Sequence, residues 1–159
     1  METAKRTILE GNNLTSPFAP RNKAADILSE ESATAQVLDL LEYYDINVMR
    51  IPVEERGKVE SALQQLVGYV RRGSVEVSRD KDQKISVTVN LSDGGTAIEF
   101  KEIGARHKLV MDRVKDGGTY SRIYALMGSL CGLGTGAIEK LQARDLAVVE
   151  ILGMVFLAA

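Results

Sequence analysis

The chain has few of the side chains on which most enzyme mechanisms depend. His107 is its single histidine and Cys131 its single cysteine. His107 and Asp112 stand five positions apart on a predicted helix, so they do not share the face that a base and its orienting carboxylate would need. Cys131 lies beside Leu130 in an apolar stretch, where a thiol is usually a small core residue. We therefore expect a protein that is not an enzyme, with His107 on the surface or against a partner.

Two short motifs resemble ligand sites without having their full pattern. Asp80 and Asp82 flank Lys81, but they lack the spacing and the central glycine of a calcium loop, which favours a charged hairpin tip. The run from Gly132 to Gly136 follows a predicted helix rather than a strand and has no lysine placed as in a phosphate-binding loop. It is better interpreted as a turn between helices. We expect neither a metal ion nor a cofactor.

Length and composition are those of a compact globular protein. The 159 residues suit one domain, and 45% hydrophobic with 26% charged residues is a usual globular proportion. A net charge of −2 does not favour nucleic acid as a partner. The single cysteine favours a reducing compartment, and residues 1–10 contain no apolar run that would serve as a signal peptide. The apolar stretch from Leu146 to Ala159 falls short of the roughly 20 residues that span a bilayer, so no membrane partner is expected.

The beginning of the chain differs in character from the rest. Residues 1–21 are polar, contain Pro17 and Pro20, and show neither helical nor alternating periodicity. This pattern predicts an extended N-terminal arm that has no core of its own. Residues 22–159 are expected to form a single domain.

Two helices are predicted at the start of that domain. The first is expected to take Asn22 as its N-cap, to end near Tyr44 and Asp45 and to have one apolar face, and a break around Ser29–Ser32 is left open. That face comprises Ala25, Leu28, Ala35, Leu38 and Leu41. The second helix is predicted from Val53 to Arg72, and Gly73 is well placed to end it.

The period changes to two in the segment 74–103. The alternating apolar residues are Val75 and Val77, then Ile85, Val87, Val89 and Leu91, then Ile98 and Phe100. The turn from Ser92 to Gly95 has the residue types that tight hairpins need. This pattern predicts a three-stranded antiparallel meander, and a helical period returns in 104–159. The fold class is therefore α+β, with about five helices flanking the meander.

The last predicted helix is apolar on more than one face, whereas a surface helix needs only one apolar stripe. Two interpretations remain open. The helix is either the central helix of this small fold, or one of its faces is covered by a partner or by further copies of the chain as a homo-oligomer. The residues predicted to bind a partner are Leu146, Val149, Leu152, Val155 and Phe156.

From Lys84 to Ala159 the chain has a hairpin, then helices, then the apolar last helix. The residues that carry this pattern are the strands Ile85–Leu91 and Thr96–Lys101, the turn Ser92–Gly95, Gly117-Gly118, Arg122–Leu126, Ile138–Leu141, Asp145-Leu146 and Phe156-Leu157. In this order of elements the segment resembles the tail assembly chaperones of long-tailed bacteriophages. The resemblance covers roughly half of the chain and does not include residues 1–72.

The resemblance implies a non-enzymatic protein that acts in the host cytoplasm during virion assembly. Such chaperones coat the hydrophobic tape measure protein while the tail tube grows, and they leave before the particle is finished. An alternative is a structural tail or baseplate subunit that stays in the virion tail, its N-terminal arm clamping neighbouring subunits. A third interpretation, from a different class, is a small enzyme or nucleotide binder that uses His107 and the Gly132–Gly136 turn.

Overall fold

A computed structural model of the protein describes residues 28–114 and 117–159. The arm predicted at 1–21, the N-cap predicted at Asn22 and the predicted core residue Ala25 lie outside these ranges. The helices are α1 (Glu30–Tyr43), α2 (Val53–Arg71), α3 (Ala105–Asp112), α4 (Thr119–Cys131), α5 (Thr135–Glu139) and α6 (Ala143–Phe156), with a 3₁₀ turn at Val48–Arg50. The strands are β1 (Val75–Arg79), β2 (Ile85–Asn90) and β3 (Ala97–Phe100).

The three strands form the predicted antiparallel meander, in the order β1-β2-β3. Val77 pairs with Val87, and Val87 pairs with Phe100, so apolar residues line one face of the sheet. The turn between β2 and β3 is organised by Asp93, whose carboxylate accepts hydrogen bonds from the N–H groups of Gly95 and Thr96. The α+β fold class is thus confirmed.

Helix α1 begins where the sequence left a break open, around Ser29–Ser32, but its buried face differs from the prediction. It begins at Glu30, because the Ser29 hydroxyl caps it by accepting a hydrogen bond from the N–H of Ser32 at 3.1 Å. Its buried residues are Ala33, Val37 and Leu40. Two neighbouring apolar stripes on α1 both have helical spacing, and the stripe assigned to the core, with Ala35 and Leu38, is the more exposed one.

Helix α2 agrees closely with its prediction. It runs from Val53 to Arg71, and Gly73 follows with a φ angle of 79°, as expected for a glycine that ends a helix. Leu66 and Val70 are buried, while Leu63 and Val67 remain partly exposed.

The C-terminal helices pack closely together. Helix α6 packs against α2 and α4. The short α5 was not predicted separately, and α6 begins at Ala143. Gly128 of α4 lies against the backbone of residues 134 and 135, at the start of α5, and Gly153 of α6 lies against Ile123. Small residues at these points permit the close approach. Among the described residues, none of the helices has both the length and the apolar character needed to cross a membrane.

We expect Gly128→Ala to destabilise the domain. A Cβ atom there would lie 2.5–2.7 Å from backbone atoms of Gly134 and Thr135, which cannot rotate away. The expected loss is about 1–3 kcal/mol in the free energy of unfolding, measured by urea denaturation. Gly57→Ala, where a Cβ would meet nothing within 4 Å, is the matched helical control and should be neutral or slightly stabilising. Equal stability of the two variants would contradict the close packing described here.

Candidate functional site

The residues predicted to bind a partner all lie on α6, and the structure places most of them inside the protein. Val149, Leu152, Val155 and Phe156 are buried, and Leu146 is partly buried. The ring of Phe156 meets the ring of Tyr44 edge-on, with centroids 5.8 Å apart. A role for these residues in partner binding stays a prediction. For the four buried ones it would require α6 to leave the core.

A buried carboxylate ties the first turn of α6 to the sheet. Asp145 accepts a hydrogen bond from the N–H of Ser92 at 2.8 Å and from the Ser92 hydroxyl at 2.9 Å. A carboxylate in the first turn of a helix also interacts favourably with the helix dipole. In the sequence nothing distinguishes Asp145 from other acidic residues. Its partner lies 53 residues away, so no local spacing indicates the contact. Its role here is to position α6.

The expectation that His107 lies on the surface or against a partner is wrong. Its side chain is buried, and Nδ1 accepts a hydrogen bond from the N–H of Gly104 at 2.8 Å. Gly104 is the N-cap of α3, and His107 at the third helical position accepts its N–H, as the third residue of a capping box does. Burial lowers the pKa of His107, and the charge of Arg106 lowers it further. The neutral imidazole thus serves as a helix cap.

A tyrosine–carboxylate pair joins α4 to α6. The Tyr124 hydroxyl donates a hydrogen bond to Glu150 at 2.5 Å. That hydrogen bond, together with burial, raises the pKa of Tyr124 to about 12. The phenol therefore stays protonated and acts as a donor between two helices.

The other motifs considered for chemistry have structural roles. Gly132, with a φ angle of 76°, ends α4, and residues 132–134 form a turn between helices as predicted, whereas Thr135 and Gly136 lie in the first turn of α5. Asp80 accepts hydrogen bonds from the N–H groups of Asp82 and Lys84, which organises the charged hairpin tip. Within the described ranges, no group of three or more His, Cys, Asp or Glu side chains is placed to hold a metal ion.

A bidentate ion pair joins strand β1 to α1. The guanidinium of Arg79 donates to both carboxylate oxygens of Asp39, at 2.7 and 3.1 Å, and it lies over the ring of Tyr43. The hydrogen bond to Arg79 holds the pKa of Asp39 below its usual value. The pair links α1 to the end of β1 at the protein surface.

An apolar groove of about 320 Å³ lies between α1 and α2. We refer to it as the α1–α2 groove. Its lining residues are Glu30, Thr34, Val37, Leu38 and Leu41 from α1, and Leu63, Gln64 and Val67 from α2. Leu38 is 57% exposed, and Leu41, Leu63 and Val67 are each partly exposed. The groove is thus an apolar surface that the described part of the chain leaves uncovered.

Sequence interpretation missed this groove because it assigned Leu38 and Leu41 to the core. The sequence feature that could have indicated the groove is the wide apolar surface of α1. Ala33, Val37 and Leu40 form the buried stripe and Leu41 packs partly against the core, whereas Leu38 extends the apolar surface beyond them. Surplus apolar width on a helix indicates a second surface.

The chain matches no family model, no curated protein and no solved structure. What the protein does must therefore be inferred from its own residues and surfaces.

We expect the free energy of unfolding to fall as the pH is lowered from about 7.5 to about 5.5. Because the folded chain lowers the pKa of His107 below 6.5, the unfolded chain binds the proton first as the pH falls. His107→Gln should flatten this dependence, and urea denaturation at several pH values measures it. His107 is the single histidine, so other side chains contribute little to the slope in this interval. An unchanged slope in the variant would contradict the buried cap.

Proposed function

We propose that this protein is a non-enzymatic bacteriophage tail-morphogenesis protein that acts as a tail assembly chaperone. It binds apolar segments of a tail partner, such as the tape measure protein, by stoichiometric association in the host cytoplasm. The observation that carries the proposal is the open α1–α2 groove, in which Leu38 is 57% exposed and Leu41, Leu63 and Val67 pack only partly against the core. The resemblance of Lys84–Ala159 to tail assembly chaperones supports the same class of function.

The shape of the groove suits a protein segment better than a small ligand. Small-molecule pockets range from about 300 to 1,000 Å³ and enclose most of their ligand with a few convergent polar groups. The groove lies at the lower end of that range, is open along two helices, and has Glu30, Thr34 and Gln64 as its polar lining residues. A row of aliphatic side chains between two helices is the usual setting for an apolar helix of another protein.

The location of the binding surface differs from the one expected on α6. Helix α6 is enclosed by α2 and α4, so exposing its buried face would break the core. The α1–α2 groove is open to solvent among residues 28–114 and 117–159. In this proposal α6 stabilises the site indirectly, because α2 packs against α6 and also lines the groove.

Replacing Leu38 by Asp should abolish partner binding without unfolding the protein. Leu38 is 57% exposed, so a carboxylate there stays hydrated in the free protein but would be buried in the complex. We expect the recovery of tail proteins co-expressed from neighbouring genes to fall about tenfold or more in an affinity pull-down. Leu109→Asp is the matched control, because Leu109 is 55% exposed and lies on α3 rather than in the groove.

Three results would count against the proposal. Equal recovery of the tail partner by the Leu38 and Leu109 variants would exclude the groove as the binding surface. Failure of the wild-type chain to recover any tail protein would contradict the chaperone function. Detection of the protein at a fixed copy number in purified virions would favour the alternative, a tail or baseplate subunit that remains in the particle.

A further inference from the structure

The described chain begins at one end of the α1–α2 groove. The N–H of Leu28, two residues before α1, donates a hydrogen bond to the carbonyl of Arg71 at 2.9 Å, and Arg71 is the last residue of α2. Glu30, the first residue of α1, lines the groove. The segment that precedes Leu28, residues 1–27, lies outside the described residues. It is joined to the domain beside the ends of the two helices that line the groove.

This preceding segment contains an apolar motif, Pro17-Phe18-Ala19-Pro20, which we refer to as the proline motif. Phe18 is the single aromatic residue among residues 1–27, and aromatic side chains bury more apolar area than most others at a contact. Prolines restrict the backbone before binding, so less conformational entropy is lost when such a motif is held on a surface. The motif therefore has the composition of a segment that docks on aliphatic side chains.

The backbone of the proline motif also suits a groove between two helices. Over most of their length, the N–H and C=O groups of α1 and α2 are bonded within their own helices, so they offer no partners to a bound segment. The two prolines have no N–H, which halves the number of backbone donors that the motif would bury. Thr34 and Gln64 place side-chain oxygens in the lining, where they serve as acceptors for the remaining donors.

The chain is long enough for the motif to reach the groove. Phe18 precedes Leu28 by ten positions, which span at most about 33 Å when extended. The lining residues of α1 extend from Glu30 to Leu41, a distance of about 17 Å at 1.5 Å per residue. The connection therefore allows Phe18 to lie beside Leu38 without being stretched.

We propose that the proline motif occupies the α1–α2 groove of its own chain, with the Phe18 ring beside Leu38, and thereby limits the access of a partner. The inference deepens the proposed function by adding regulation at the same site, and its statement about the partner rests on that function. A short tether gives an effective concentration in the millimolar range. A contact with a dissociation constant below that range keeps the groove mostly covered, so a partner must displace the motif in order to bind.

Methyl NMR spectroscopy of the full chain tests the contact directly. An aromatic ring shifts the signals of the methyl groups beside it, so Phe18→Ala should move the signals of the aliphatic groove residues and leave core signals in place. The groove residues are Leu38, Leu41, Leu63 and Val67, and the core references are Val87 and Val149. Ile8→Ala, an apolar change elsewhere in the same segment, is the matched control and should move none of these signals.

Binding of the tail partner tests the competition. Phe18→Asp should free the groove, because a carboxylate loses its hydration when it is held against aliphatic side chains. We expect this variant to bind the co-expressed tail partner about threefold to tenfold more tightly than the wild-type chain does, as measured by titrated pull-down. The double variant Phe18→Asp with Leu38→Asp should bind as weakly as Leu38→Asp alone, because the partner still needs the groove.

Two results of the NMR experiment would overturn the contact. Groove signals that stay in place in Phe18→Ala, or that move equally in Ile8→Ala, would exclude the proline motif as the occupant. The second result comes from mixing isotope-labelled Phe18→Asp chain with unlabelled wild-type chain. If the wild-type positions of the groove signals return, a second copy of the chain donates the motif, as expected for a tail subunit that clamps its neighbour.

The binding experiment separates the regulation from the proposed function. If the groove signals move but Phe18→Asp binds the tail partner no more tightly than the wild-type chain does, the regulation is excluded. If no variant recovers a tail protein while the groove signals still move in Phe18→Ala, the proposed function is contradicted and the contact of the proline motif with the groove is supported.

Discussion

The burial of α6 is the constraint from which most of the architecture follows. A helix with Val148, Val149, Leu152 and Phe156 on several sides must be covered from more than one direction. Helices α2 and α4 provide that cover, and the hydrogen bonds from Ser92 to Asp145 fix the start of α6 against the sheet.

Sequence periodicity predicted the elements well and their buried faces less well. The alternation in β2 and the glycine-rich turn after it are typical of a β-hairpin, so the meander was predicted correctly. Helix α1 has two apolar stripes of equal spacing, and which one is buried depends on the tertiary fit of α1 to α2 and β1. The roles of His107 and Asp145 also escaped prediction, since one depends on a neighbouring backbone N–H and the other on a residue far away in the sequence.

The candidate site could not have been predicted from motifs, because a groove between two helices is defined by what the rest of the fold leaves uncovered. The aliphatic residues that line the groove are Leu38, Leu41, Leu63 and Val67. These residues lie in the half of the chain that the resemblance to tail assembly chaperones does not include. The two halves are in contact, because α2 packs against α6 on one side and lines the groove on another.

The ion pair between Arg79 and Asp39 has a consequence for solubility. Strand β1 is an edge strand, and unpaired strand edges are templates for uncontrolled aggregation with other chains. A charged residue at the end of the edge strand, held by the adjoining helix, makes the addition of a foreign strand at that end unfavourable.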